Sequence, residues 1–94
     1  ASSMIEENGF STYDDLIHGF GGGYLPPVLG SKSRPAGPIP DITLEPNMCL
    51  VVQPNVITTD ERAGVQTGDT MRITQTGCES LHNVARGFDR VDPA

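Results

Sequence analysis

Apolar and polar positions along this chain fall into short segments, the clearest being Met48-Cys49-Leu50-Val51-Val52. An unbroken apolar run of this length, closed by Gln53-Pro54-Asn55, predicts a strand covered on both faces. From Gly64 to Thr74 the pattern alternates instead: Val65, Met71 and Ile73 share one face, and Gln66, Thr70, Arg72 and Thr74 the other. That period predicts a second strand over 64–74, joined to the first through the polar hairpin-type connection Thr58-Thr59-Asp60-Glu61-Arg62. Gln75-Thr76-Gly77 then reads as a turn and Cys78-Glu79-Ser80-Leu81 as a short last strand. Upstream, Met4 and Ile5 among Glu6, Glu7 and Asn8 predict a helix over 1–8 that Gly9 stops. So short a helix is marginal alone and reads as the tail of a longer one. Residues from Phe10 to Ile17 are expected to run extended into His18.

Proline changes the texture between Pro26 and Pro46, where Pro35, Pro38 and Pro40 also fall. Proline lacks an amide donor and is excluded from sheet interiors, so 26–46 is expected to be a long surface loop. Residues 83–94 read as a tail, and His82 as a solvent-facing or loop-bonded side chain without a role. The fold expected is α+β: an antiparallel β-meander behind a glycine-rich strand, with the end of one helix.

At 94 residues the chain makes one domain at most, and its 11 glycines and 8 prolines imply much irregular backbone. Twelve Asp and Glu against six Lys and Arg argue against a nucleic-acid or anionic-membrane partner, because phosphate neutralisation needs clustered cations. Lys32 and Arg34, the positive charges of the first sixty residues, read as solvated loop charges. Cys49 and Cys78 lack CxxC spacing and read as the reduced thiols of a cytoplasmic protein, Cys49 as plain core. Neither a long apolar segment nor a signal-peptide pattern is present in the sequence.

Candidate chemistry centres on Ile17-His18-Gly19-Phe20-Gly21-Gly22-Gly23-Tyr24-Leu25-Pro26-Pro27. Here a metal-capable or proton-capable side chain stands beside backbone that a ligand can approach closely, since glycine has no Cβ. The adjacent Asp14 and Asp15 would face opposite sides of a strand, and they read as a solvated turn.

His18-Gly19-Phe20-Gly21, then Leu44-Glu45-Pro46-Asn47-Met48 leading to Gln53-Pro54-Asn55, then Gly64-Val65-Gln66-Thr67-Gly68-Asp69-Thr70 with Thr74-Gln75-Thr76-Gly77-Cys78-Glu79-Ser80-Leu81, stand in an order that resembles one family. It is the C-terminal part of the creatinase, aminopeptidase P and methionyl aminopeptidase family, and the likeness covers about residues 1–82. The resemblance implies a partial pita-bread fold, with 83–94 as a C-terminal tail. It also implies that the chain is a piece of a longer protein, whose upstream part would carry two metal-binding aspartates.

Within the part present, the family uses a histidine and two glutamates as metal ligands and a second histidine in proton transfer. By the resemblance His18 falls on the ligand histidine, Leu25 on the second histidine, Gln53 on the first glutamate and Gly68 on the second, with the neighbouring Asp69 kept. Gln53 offers one neutral carbonyl oxygen, Gly68 no side chain, and Leu25 cannot move a proton. The two-metal hydrolysis of the family is therefore expected to be abandoned.

The leading expectation is an inactive C-terminal piece of an Xaa-Pro aminopeptidase- or dipeptidase-like metallopeptidase. Its pocket, with His18, Gln53 and Asp69, would hold a small polar or peptide-like ligand. No cofactor is expected for this chain, and manganese, cobalt or zinc only in an intact parent, with His18 as the ligand if a metal is bound. The expected partners are the remainder of the parent chain and further copies of it. One alternative is a metal-independent or mononuclear hydrolase or lyase with His18 as catalytic base and Asp15 or Asp69 orienting it. Another is a binding module without turnover.

Overall fold

The computed structural model describes residues 2–22, 24–31 and 33–93, Tyr24 by its backbone alone. Gly23 of the glycine run and Lys32 lie outside the described residues, as do the end positions 1 and 94 of the expected helix and tail.

Helix α1 (Ser2–Glu7) ends where Gly9, with a left-handed φ of 82°, donates its amide to the Glu6 carbonyl, the stop expected from glycine after a helix. Eight short strands follow: β1 (Phe10–Thr12), β2 (Ile17–Phe20), β3 (Tyr24–Leu29), β4 (Cys49–Val52), β5 (Asn55–Thr58), β6 (Gly64–Gln66), β7 (Asp69–Ile73) and β8 (Cys78–Ser80). They form two antiparallel sheets, one in the order β1-β5-β6 and one in the order β3-β2-β4-β7-β8. The molecule is a β-rich α+β domain of antiparallel sheets with one short helix.

Several expected elements divide differently. The extended segment from Phe10 to Ile17 breaks at Asp14, whose φ is 57°, and its two ends join different sheets. The single strand expected over 64–74 breaks at Thr67 and Gly68, so Val65 pairs with Val56 in one sheet while Met71 pairs with Leu50 in the other. β5 lies directly after the Gln53-Pro54 stop and was not expected, because Asn55-Val56-Ile57-Thr58 is too short to show a period.

The surface loop expected from Pro26 begins only after Leu29. Pro26 and Pro27, joined by a cis peptide bond, lie within β3. β3 is the edge of its sheet, where a missing amide donor costs no ladder hydrogen bond. Beyond it, Thr12, fully buried, donates its hydroxyl to Ser31 Oγ at 2.9 Å, and Ser31 Oγ also accepts the Arg34 amide at 3.0 Å. These bonds pin the start of the proline-rich stretch onto β1. Arg34 then reaches Glu61 at 2.6 Å in an ion pair rather than standing alone in solvent.

The strand expected to be covered on both faces is only partly covered. In β4, Leu50 is buried but Val52 is exposed, and Cys49 and Cys78 are free thiols, Cys49 half-buried and Cys78 exposed. Leu16 and Leu50 are the buried apolar side chains among the described residues. The accessible surface is 7210 Å², against about 5,200 Å² for a compact monomer of this mass. The radius of gyration is 14.9 Å, where about 12 Å is usual for this length.

Candidate functional site

His18 is buried in β2, cross-strand from Val28 of β3 and Val51 of β4. Its Nδ1 lies 2.8 Å from the Gly19 carbonyl oxygen. A carbonyl only accepts, so Nδ1 carries the proton, and in the neutral ring Nε2 holds the lone pair. The glycine after it has a structural task. The β2–β3 register shifts between His18 and Gly19, and a Cβ on Gly19 would stand 2.2 Å from the Pro26 carbonyl oxygen. The two backbones approach this closely only because no side chain intervenes.

Gln53 continues the β4 ladder by donating its backbone amide to the Leu16 carbonyl at 2.8 Å. Its side-chain Nε2 donates to Asp15 Oδ2 at 3.2 Å. Asp15 is therefore not the solvated turn residue expected: it is buried, with an amide donor supplied by a residue just past β4 and distant in sequence. Gly68 packs on the same place, since a Cβ added to it would lie 3.3 Å from Gln53 Cβ. A groove of about 410 Å³ adjoins Asp15, walled by Tyr13, Asp14, Val28, Arg34 and Pro35. Val28 is the residue that stands cross-strand from His18. The accepting oxygens at this place are the second oxygen of Asp15 and the Gln53 carbonyl, so the chemistry it offers is acceptance of N–H or O–H donors.

Asp69 goes elsewhere. His18 stands opposite Val51 and Val51 opposite Thr70, whereas Ile17 stands opposite Val52 and Val52 opposite Asp69. Residues in register share a face and neighbours alternate, so His18 and Asp69 belong to opposite faces of the sheet. Asp69 Oδ1 accepts the Ser80 hydroxyl at 2.6 Å, Oδ2 accepts Arg86 Nη2 at 2.7 Å, and His82 Nε2 lies 3.9 Å from Oδ1. The Ser80 hydrogen bond, and after it the Arg86 guanidinium, hold the Asp69 carboxyl below the usual carboxylate range. His82 also reaches Thr70 Oγ1 at 3.3 Å.

Sequence reasoning brought His18, Gln53 and Asp69 into one pocket. The structure brings Gln53 to Asp15 and Gly68 near the start of β2, and sets Asp69 with Ser80 and Arg86 on the other face. Ser80, His82 and Arg86 were not anticipated. The signal available was a serine and a histidine two positions apart at the end of the last strand, followed by an arginine in an acidic chain. For Asp15 the sequence held no signal, because its partner is 38 positions away.

A two-metal cluster of the kind the resemblance implies needs carboxylates at 53 and 68, and the residues there are an amide and a glycine. Among the described residues no three His, Cys, Asp or Glu side chains converge where a metal ion would sit. The donor set does not fit such a cluster. Among the described residues no helix is long and apolar enough to cross a membrane. Comparison with known proteins returns no match to a family model, to a curated protein or to a solved structure.

Proposed function

We propose that this chain is the C-terminal part of a pita-bread protein related to Xaa-Pro aminopeptidases and dipeptidases. In this reading it has given up two-metal hydrolysis and holds a small polar or peptide-like ligand. The observation that carries it is the contact between Gln53 and Gly68. By the resemblance these two positions carry the family's ligand glutamates, and they pack against one another, 3.3 Å from the Gln53 Cβ to a Cβ placed on Gly68. They do so beside the buried Asp15, at the foot of the strand that carries His18. The β4–β7 ladder, with Val52 opposite Asp69, brings these two positions together, and that proximity supports the reading. The acceptors left there, with the Arg34-walled groove alongside, suit the amide and amine donors of a short peptide.

The shortage of buried apolar residues and the surplus surface support the further proposal that the rest of a longer chain, or additional copies of it, covers the sheets. The alternative of a hydrolase or lyase with His18 as general base draws on one feature, the Nδ1 bond to the Gly19 carbonyl that orients the ring. It is the weaker reading. Asp69 belongs to the other face of the sheet, and Asp15 is engaged by Gln53.

The test is titration of the purified protein with the dipeptide Ala-Pro, followed by NMR, and elemental mass spectrometry after exposure to manganese, cobalt and zinc. Saturable binding that His18→Ala or Gln53→Met weakens, without release of alanine and proline, is the expected result. Near two metal equivalents per chain, or turnover of the dipeptide, overturns the proposal.

A further inference from the structure

We infer that the β7–β8 face around Asp69 and Ser80 is a binding site for a guanidinium group carried on a short apolar peptide, and that residues 84–87, with Arg86 on Asp69, cover it as a built-in competitor. This inference does not rest on the reading above, since this is the sheet face away from His18.

The cavity between this face and the covering segment measures about 680 Å³, within the size range of small-ligand sites. On the sheet side Val52 and Met71 supply the apolar wall and Asp69 and Ser80 the convergent polar groups, while residues 84–87 close the other side. Asp69 is the carboxylate of this lining, and its side chain is only one-fifth exposed. The Ser80 hydroxyl donates to one oxygen at 2.6 Å and fixes the carboxylate, so the other oxygen faces the incoming cation. Arg86 Nη2 sits on that oxygen at 2.7 Å. The chain's own guanidinium therefore displays the chemistry the site accepts.

The segment that delivers Arg86 is loosely held. Residues 83–93 are exposed throughout, and the Arg86 side chain itself is 77% exposed. Among the described residues, the hydrogen bond from Arg86 to Asp69 is what ties 83–93 to the sheets; Arg90 pairs only with Asp92, inside the segment. An ion pair so open to solvent is weak, so Arg86 leaves Asp69 for a sizeable fraction of the time and an external guanidinium can take its place. A neighbouring valine and alanine already line the cavity, as Val84 and Ala85. A peptide reading apolar, small, arginine thus reproduces the segment that covers the sheet face, and would bind by displacing it.

The experiment uses the full chain and the probe acetyl-Val-Ala-Arg-Gly-amide, with acetyl-Val-Ala-Gln-Gly-amide as control, titrated by calorimetry and NMR. Arg86→Gln removes the bond that ties the covering segment to the sheets and is expected to tighten binding of the arginine peptide about two- to sixfold over the parent chain, the gain that releasing an exposed ion pair gives. Asp69→Asn in the Arg86→Gln background, with its circular dichroism unchanged, is expected to abolish that gain. Ser80→Ala is expected to reduce it. His18→Ala in the same background is expected to leave it intact, which separates this site from the proposed ligand site on the His18 face. Equal affinity for the glutamine peptide, insensitivity to Asp69→Asn, or no binding to the Arg86→Gln chain at millimolar peptide overturns the inference.

Discussion

Gln53 donates its side-chain amide to the carboxylate of Asp15 at 3.2 Å, joining the end of β4 to the turn before β2. A buried carboxylate is stable only when a donor reaches it, and here that donor stands where the resemblance expects a second carboxylate. The amide makes the pair attractive where a glutamate would make it repulsive.

Gln53→Glu is therefore expected to destabilise the protein by about 2 kcal/mol at pH 7, through a lost hydrogen bond and a facing like charge. The paired carboxyls of the variant would keep a proton to higher pH in the folded than in the unfolded chain. The loss is then full at neutral pH and recovers as pH falls toward about 4, where the unfolded carboxyls also protonate. Urea midpoints of the variant at pH 7 and pH 4, beside Gln53→Met as the uncharged control, decide it. A deficit equal at both pH values would refute the pairing.

Gly19→Ala places a methyl group 2.2 Å from the Pro26 carbonyl oxygen, a backbone atom that cannot swing aside. The expected cost is at the upper end of the about 1–3 kcal/mol typical of overpacking. β2 and β3 would have to separate. Gly77→Ala, where a Cβ meets nothing within 4 Å, serves as the neutral comparison. Equal denaturation midpoints for the two variants would contradict the close approach seen here.

Thr12→Val keeps the volume of a fully buried side chain and removes the hydroxyl that donates to Ser31. A loss of about 1–2 kcal/mol is expected, the usual cost when a buried polar contact is broken on one side. Faster amide exchange at Arg34, whose N–H bonds to Ser31 Oγ, would locate the damage at the start of the proline-rich stretch. Unchanged exchange there would mean that Ser31 is held by other means.

Asp69 titrates below its ordinary value of 3.8, so its contribution is complete above that pH and is lost as pH falls through the lowered value. The tie to Arg86 is expected to persist from neutral pH down to about pH 4 and to dissolve below it. Backbone NMR signals of residues 83–93 are the readout. A transition near pH 6 would be inconsistent with this carboxylate as the anchor.

With surface some 2,000 Å² beyond the about 5,200 Å² of a compact monomer, the chain is expected to associate in solution as its concentration rises. Open antiparallel edges and uncovered apolar sheet faces both favour it. Sedimentation velocity over a hundredfold range of concentration would test this, and a single monomeric boundary with a sharp, concentration-independent melt would stand against it.

The helix stop at Gly9, the apolar run that became β4, the turn after Thr74 and the short last strand were all legible, because each depends on residues within a few positions of one another. The break at Thr67 and Gly68 was not. An alternating pattern on both sides of it fits one long strand as well as two, and only pairing partners separate them: Val56 for Val65 and Leu50 for Met71. The prolines of β3 misled for a related reason, since a missing donor excludes a strand only from positions where that donor is needed.

By itself the sequence determined the local alphabet of this protein: antiparallel strands, glycine where backbones must touch, an acidic surface, and a histidine set among glycines. Which polar groups meet was decided by tertiary structure. Strand order and register put Gln53 on Asp15, and turned Asp69 away from His18 toward Ser80 and Arg86. Alternation along a strand fixes only that neighbouring residues face apart. Which face becomes a site depends on what the rest of the chain brings to it, and that is set by contacts between residues that no local pattern connects.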